Sequence, residues 1–174
     1  MFGNNHPITT LHNLLNYDAG KFSSGEVQLK IILPEWISKA SSLKLKDVLR
    51  KYAEYVQEHA ERLGNFIESE GLLSLSAGNK IITAFIEETE EKLASCADAE
   101  VKDACLLACI QGINHYKISS YGTAAAFSKA LGMEKQAAIF HDAEVNEKQI
   151  DDRLSQLAEF EINARAKAPI TLPG

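Results

Sequence analysis

Polar side chains that can hold a metal ion or form hydrogen bonds recur on the apolar stripes of this chain's amphipathic segments. Burying a lone carboxylate is costly unless it is paired, protonated or bound to a metal. If these groups meet at one level of a helical bundle, they form either a metal site or a hydrogen-bonded network. In chain order the residues are Glu26, Tyr52, His59, Asn114, and Asn146 or Glu147.

A di-metal carboxylate site is the first interpretation. Such sites take one Glu from each of two helices and a Glu-x-x-His pair from each of the other two, because two ions need shared anionic oxygens plus imidazoles. None of the five histidines has a Glu three residues before it. His141 has Glu144 three residues after it, which is the reversed order. The residue pattern therefore speaks against a pair of metal ions.

A structural polar network is the second interpretation, and the residue chemistry favours it. An asparagine amide supplies both donors and acceptors, so it suits a buried network better than a site for hard cations. The predicted members of this inner polar network are Glu26, Tyr52, His59, Asn114 and Asn146.

A long central helix is needed to place Asn114 inside. The segment Asp103–Gly132 has no proline, and its apolar residues recur at steps of three and four, which is typical of a buried helix. Before it, we predict a first helical piece at Leu11–Asn16, weakened continuity over Gly20–Gly25, and then a long helix that contains Pro34.

Three more helices complete the predicted fold. Their expected bounds are Leu43–Ser69, Asn79–Ala94 and Glu134–Ala164. Four long helices and a short one predict an all-α, up-down four-helix bundle with one longer connection. The bundle is expected over residues 10–164, after an N-terminal extension at 1–9 and before an extended C-terminal tail at 165–174.

Composition limits the class of protein. With 174 residues and 45% hydrophobic content, the chain is expected to form one soluble domain. A net charge of −6 argues against nucleic-acid binding, and no apolar run approaches the roughly 20 residues of a membrane span. The first residues lack signal-peptide features, which predicts a cytoplasmic location. The three cysteines are interpreted as small core residues.

Several motifs resemble the bacterial YciE/YciF-type ferritin-like family, in the same order and from about Thr10 to Glu161. They include GEVQL at 25–29, HYKISSYGT at 115–123, Leu131-Gly132 and Glu147-Lys148. The resemblance implies a ferritin-like helical bundle, often dimeric, that is associated with general stress responses. It also implies a suspected di-iron-type site, while the biochemical activity of the family is poorly defined.

The same resemblance implies that this chain has lost inner carboxylates. Asn114 and Lys117 stand at the family's two glutamate positions in the central helix, and Asn146 replaces the first of two consecutive glutamates in the last helix. Tyr52 and Tyr55 stand where the family has His and Glu. Too little anionic oxygen is then left to neutralise two divalent ions.

We therefore expect a divergent family member with a metal-free polar core and no catalytic residue. One weak site for iron or another divalent metal, formed by Glu26, His59 and Glu147, is left open. The expected role is structural or interactive, as a homodimer whose protein partner the sequence does not identify. The alternative function is an iron-binding or ferroxidase-like di-metal carboxylate protein.

Overall fold

The computed structural model describes residues 7–72 and 78–167, and within them all regular structure is helical. Four long helices pack as a bundle, and one short helix lies against the first and the third of them. The prediction of an all-α bundle with one additional short helix is confirmed. The elements are α1 (Leu11–Lys39), α2 (Leu43–Ser69), α3 (Lys80–Ser95), α4 (Ala99–Ala130), α5 (Glu134–Leu157), a π-helical turn (Ala158–Ile162) and α6 (Asn163–Ala166).

The first helix is continuous, so the predicted weak point at Gly20–Gly25 is wrong. Thr10 caps α1 by accepting a hydrogen bond from the Asn13 N–H at 3.0 Å, and the helix runs through Pro34 to Lys39. Gly25 does not break α1. It allows close packing against α3. A Cβ at Gly25 would lie 3.0 Å from Ile82 on α3. The missing side chain therefore lets α3 approach α1 closely.

The second and fourth helices begin at side-chain caps. The predicted bounds of α2 are confirmed, with the Ser42 hydroxyl accepting from the Leu45 N–H. The central helix α4 begins at Ala99, four residues before the predicted start, because Asp98 accepts from the backbone N–H groups of Glu100 and Val101. It ends before Gly132, whose φ of +70° suits a glycine.

The end of the bundle differs from the predicted single helix up to Ala164. A π-helical turn at Ala158–Ile162 interrupts the helix, and α6 then extends to Ala166. Arg165 and Ala166 are thus helical, although they were assigned to the extended tail. Residues 168–174 of that tail and residues 1–6 of the predicted N-terminal extension lie outside the described residues.

A buried aspartate joins α4 to the turn between α1 and α2. The Asp103 carboxylate accepts from the backbone N–H groups of Ser41 and Ser42, both at 2.8 Å, and from the Ser41 hydroxyl at 2.5 Å. Asp103 is 3% exposed. The start of α2 is therefore fixed to the start of α4 by one carboxylate.

The hydrophobic core consists of two clusters with polar residues between them. On α2, Tyr52 and Val56 belong to the first cluster and Leu63 and Phe66 to the second, with His59 between. The other three long helices also carry polar residues between the two clusters, in the same chain order on α4 and in the reverse order on α1 and α5. The polar positions on these helices are Glu26 on α1, Asn114 and Lys117 on α4, and Glu147 on α5. We call this level of the bundle the polar layer.

None of the helices in the described part of the chain combines the length and hydropathy that a membrane span requires.

Candidate functional site

The ammonium group of a lysine lies at the centre of the polar layer. The Nζ atom of Lys117 is 3.0 Å from Oε1 of Glu26 and 2.5 Å from Oε1 of Glu147. None of these three side chains is more than 5% exposed. Because buried charges are tolerated only when they are paired, the three side chains form one interdependent ionic group.

Each carboxylate also accepts a hydrogen bond from a neutral donor, while Oε2 of Glu26 has no hydrogen-bond partner. The Tyr121 hydroxyl donates a short hydrogen bond to Oε1 of Glu26. The Asn114 amide donates to Oε2 of Glu147 at 2.6 Å. Lys117 in turn donates to the Tyr52 hydroxyl at 3.3 Å and lies 4.9 Å from the centre of the Tyr52 ring.

The His59 imidazole faces both carboxylates from the α2 side. Its Nδ1 atom is 3.5 Å from Oε1 of Glu26 and 3.5 Å from Oε1 of Glu147. The Asn146 amide nitrogen lies 3.3 Å from Nε2. Since an amide nitrogen only donates, Nε2 is the acceptor, and the hydrogen-bond network assigns a proton to Nδ1.

The electrostatic environment keeps Lys117 charged and shifts the pKa values of Glu26 and Glu147 in opposite directions. Burial lowers the pKa of Lys117, but Glu147 and Glu26 raise it by more, so its pKa lies above the ordinary value. Burial raises the pKa of Glu26, but Lys117, His59 and the Tyr121 hydroxyl bring it below its ordinary value.

The pKa of Glu147 is raised, whereas that of Glu26 is lowered. Burial raises the pKa of Glu147, and the nearby Glu26 charge adds to this effect, so that Lys117 offsets it only in part. Of the two carboxyl groups, Glu147 is therefore the one that accepts a proton more readily. Burial and then the acidic neighbours also raise the pKa of Tyr52 and of Tyr121 well above their ordinary values, so both phenols stay neutral.

The structure brings the predicted network residues into one layer, although few of them bond directly to each other. Among those five, the hydrogen bond present is the one between Asn146 and His59. The others are connected through Lys117, Tyr121 and Glu147. Asn146 lies half-buried at the edge of the layer, whereas Glu147 is fully buried.

Sequence reasoning missed the central place of Lys117. The available signal was its spacing, because Asn114, Lys117 and Tyr121 follow each other at steps of three and four and so share one face of α4. Lysine is rarely fully buried unless it is paired, so the residue type alone gives no reason to place Lys117 inside the bundle.

The three predicted metal ligands do converge. Glu26, His59 and Glu147 each offer a ligand atom within 4.8 Å of the others. However, the Lys117 ammonium already contacts both carboxylates, and a divalent ion beside it would be repelled in this buried setting. Within the described residues, the polar layer contains two carboxylates. These residues do not fit a di-metal centre, and a single ion would require that Lys117 move away.

Comparison with known proteins identifies relatives over nearly the whole chain. The family model described as a domain of unknown function (DUF892) matches residues 10–167. Protein YciF of Escherichia coli (strain K12) is 32% identical over 145 residues, which cover 83% of this chain and 87% of that protein.

Two solved structures share the fold of this chain over nearly its whole length. The crystal structure of the E. coli stress protein YciF matches with a TM-score of 0.83 and 29% identity, over 90% of this chain and 99% of that one. YcfI from Rhodopseudomonas palustris matches with a TM-score of 0.81 and 27% identity, over 89% of this chain and 98% of that one.

A third solved structure shares the fold alone. It is a two-domain protein from Anabaena variabilis with DJ-1/ThiJ/PfpI-like and ferritin-like domains. Its TM-score is 0.59 at 17% identity, over 95% of this chain and 40% of that one. The bundle is therefore of the ferritin-like type.

Proposed function

The chain belongs to the DUF892 family, and we propose that it is a metal-free structural member of the ferritin-like class that acts in the stress response. The observation that carries this proposal is the Lys117 ammonium between Glu26 and Glu147. An internal cation at this point pairs with both buried acids and occupies the place that a metal ion would take. The protein is then an interaction or scaffold component of the cytoplasm and not an oxidase.

The descriptions of two relatives support a role of this kind. The E. coli relative is described as a stress protein. The R. palustris relative is described as a candidate structural protein.

Iron binding is the competing function, and the convergence of Glu26, His59 and Glu147 favours it. The two functions differ in what they require of Lys117. In the metal-free protein the ammonium is the permanent partner of both carboxylates. In an iron protein Lys117 would have to give up both contacts whenever the ion binds.

Iron loading of matched variants separates these functions. The wild-type protein, Lys117→Ala and Lys148→Ala are each incubated with ferrous ion without oxygen and desalted, and bound iron is measured by elemental analysis. Oxygen consumption is then followed after air is admitted. We expect no stoichiometric iron and no oxygen consumption in the wild type or in Lys148→Ala, which alters an exposed ion pair with Glu144.

The Lys117→Ala variant is expected to gain one bound ion per chain, because Glu26 and Glu147 are freed from the ammonium and can bind the ion together with His59. Two ions per wild-type chain together with oxygen consumption would overturn the proposal. Equal stoichiometric iron in all three proteins would also contradict it, because Lys117 would then not prevent the wild-type site from binding iron.

We further propose that the chain forms a homodimer through the outer face of α1. This uncharged face exposes Val27 at 47% and Ile31 at 73%. Because each copy carries a net charge of −6, two copies repel each other least where their faces lack acids. The exposed members of this α1 face are Tyr17, Val27, Ile31 and Pro34, and between them lie the half-buried Gly20 and Ser24, whose hydroxyl accepts a hydrogen bond from the Asn79 N–H.

The side-chain sizes on the α1 face suit a two-fold axis that passes between Ser24 and Val27. Antiparallel pairing about this axis sets Gly20 opposite Ile31 and Ser24 opposite Val27, so that small residues receive large ones. Light scattering during size-exclusion chromatography is expected to give a dimer for the wild type and a monomer for Ile31→Glu. Lys30→Glu, an adjacent exposed position, is the matched charge control. A wild-type monomer would contradict the proposed dimer.

A further inference from the structure

A small cavity lies beside the polar layer, where α1, α3 and α4 meet. About 10 Å³ of it is open to the centre of a water molecule. This is about the space that one water molecule needs, and a larger ligand does not fit. Its lining combines apolar residues with polar ones, and the polar members are Glu26, Asn79, Tyr116, Lys117, Ser120 and Tyr121.

One carboxylate oxygen of Glu26 lacks a hydrogen-bond partner although it is buried beside this cavity. The residue is 2% exposed, and its Oε1 atom contacts Lys117 and accepts a hydrogen bond from Tyr121. Among the described residues, no group donates to its Oε2 atom. Because a buried charged acceptor without a partner costs free energy, a donor placed beside Oε2 would stabilise the folded protein.

Two hydroxyl groups that line the same cavity retain hydrogen-bonding capacity. The Tyr116 hydroxyl accepts from the Asn79 amide at 3.2 Å, so its own proton is left to donate. The Ser120 hydroxyl donates to the Tyr116 carbonyl at 2.8 Å, so its lone pairs are left to accept. The cavity therefore offers two acceptors, Oε2 of Glu26 and the Ser120 hydroxyl, and one donor, the Tyr116 hydroxyl.

We propose that this cavity binds one ordered water molecule, which donates to Oε2 of Glu26 and to the Ser120 hydroxyl and accepts from the Tyr116 hydroxyl. A water molecule carries two donors and accepting lone pairs, so it can satisfy all three groups. Buried waters typically make about three such hydrogen bonds. A sodium or potassium ion suits the cavity less well, because the Lys117 ammonium contacts the same carboxylate and would repel a second cation.

The bound water links α1 to α4 independently of Lys117. It supplies a neutral donor to Oε2 of Glu26, as the Asn114 amide does to Oε2 of Glu147. Each of the four carboxylate oxygens in the polar layer then has a hydrogen-bond or ion-pair partner. This inference rests on the proposed metal-free layer, because a metal ion between the two acids would compete with the water for Glu26.

High-resolution diffraction from iron-free wild-type crystals tests the water site directly. We expect one water peak within about 3.2 Å of Oε2 of Glu26 and within hydrogen-bonding distance of the Ser120 and Tyr116 hydroxyls. A soak in thallium(I), which replaces potassium and scatters anomalously, should give no peak at this position. Absence of density beside Oε2, or a thallium peak in its place, would overturn the inference.

Magnetic relaxation dispersion of oxygen-17 counts long-lived internal waters in solution. Ser120→Val removes an acceptor and places methyl groups in the cavity, so we expect it to lose one long-lived water relative to the wild type. Ser119→Val, at an exposed position on the same helix, is the matched control and should keep the wild-type number. Equal numbers in the wild type and in Ser120→Val would contradict the assigned site.

The water site and the proposed function fail in different ways. If the water is absent while Lys117 contacts both acids, the water site is wrong and the metal-free layer stands. Iron uptake by the wild type would overturn the proposed function, whereas the iron-free crystals would still show whether the water is bound.

Discussion

The Nζ atom of Lys117 lies 2.5 Å from Oε1 of Glu147, across the contact between α4 and α5. The same ammonium reaches Glu26 on α1 at 3.0 Å. A cation that belongs to the chain itself therefore joins three of the four long helices. Unlike a metal ion, it cannot be removed by dialysis or by a chelator.

Metal removal is accordingly expected to leave stability unchanged. Thermal unfolding followed by circular dichroism should give the same midpoint before and after treatment with EDTA, and again after ferrous ion is added back. A midpoint that falls with EDTA and recovers with iron would mean that a metal ion contributes to the folded state.

Replacement of Lys117 by an uncharged residue should strongly destabilise the folded protein. Lys117→Met keeps an apolar chain of similar length but leaves Glu26 and Glu147 without a cation, so we expect a loss of about 3–5 kcal/mol in the free energy of unfolding at pH 7. Urea denaturation measures this loss. The matched control is Lys39→Met, which removes a partly exposed ion pair with Glu90 and should cost about 1 kcal/mol or less. Similar losses in the two variants would contradict the account.

The cost of Lys117→Met should depend on pH in a definite direction. In the wild type, the lowered pKa of Glu26 stabilises the folded state above pH 4.5, the ordinary pKa of a glutamate. This contribution is lost as the pH falls through the lowered pKa of the folded state. Without the ammonium, burial raises the pKa of both carboxyl groups, so the variant loses stability as the pH rises through those raised values. The difference between wild type and variant should therefore be smaller at about pH 5 than at neutral pH. A difference that is independent of pH would show that the two acids are not the cause.

The two acids should tolerate replacement better than the lysine does. Glu26→Gln and Glu147→Gln each leave Lys117 with one carboxylate, so we expect losses of about 1–2 kcal/mol in urea denaturation at pH 7. Glu147→Gln should be the milder change, because the pKa of Glu147 is raised whereas that of Glu26 is lowered. Loss of stability as large as that of Lys117→Met in either variant would contradict the central role of the lysine.

Features that depend on the local sequence could be predicted for this protein. Features that depend on contacts between helices could not. The spacing of apolar residues predicted both ends of α2, and it also predicted that Glu26, His59 and Asn114 face inward. The continuity of α1 was missed because Gly25 has a tertiary role against Ile82. The three cysteines were interpreted as core residues, but all of them are half-buried. The buried position of Lys117 was missed because the two acids that neutralise it come from other helices.

The buried carboxylate of Asp103 gives a prediction away from the polar layer. Asp103→Ala removes the acceptor for two backbone N–H groups at the start of α2, so we expect a loss of about 2–4 kcal/mol in the free energy of unfolding. Asp98→Ala removes a cap of α4 that is open to solvent and should cost less than Asp103→Ala. Urea denaturation of both variants checks the order, and an equal cost would show that the contact of Asp103 with the α1–α2 turn is unimportant.

The most direct measurement is anomalous diffraction at the iron absorption edge from wild-type crystals soaked in ferrous ion. We predict no iron peak between Glu26 and Glu147, and electron density that places the Lys117 ammonium within hydrogen-bonding distance of both carboxylates. An iron peak bridged by Glu26 and Glu147, with the Lys117 side chain turned away, would contradict the account.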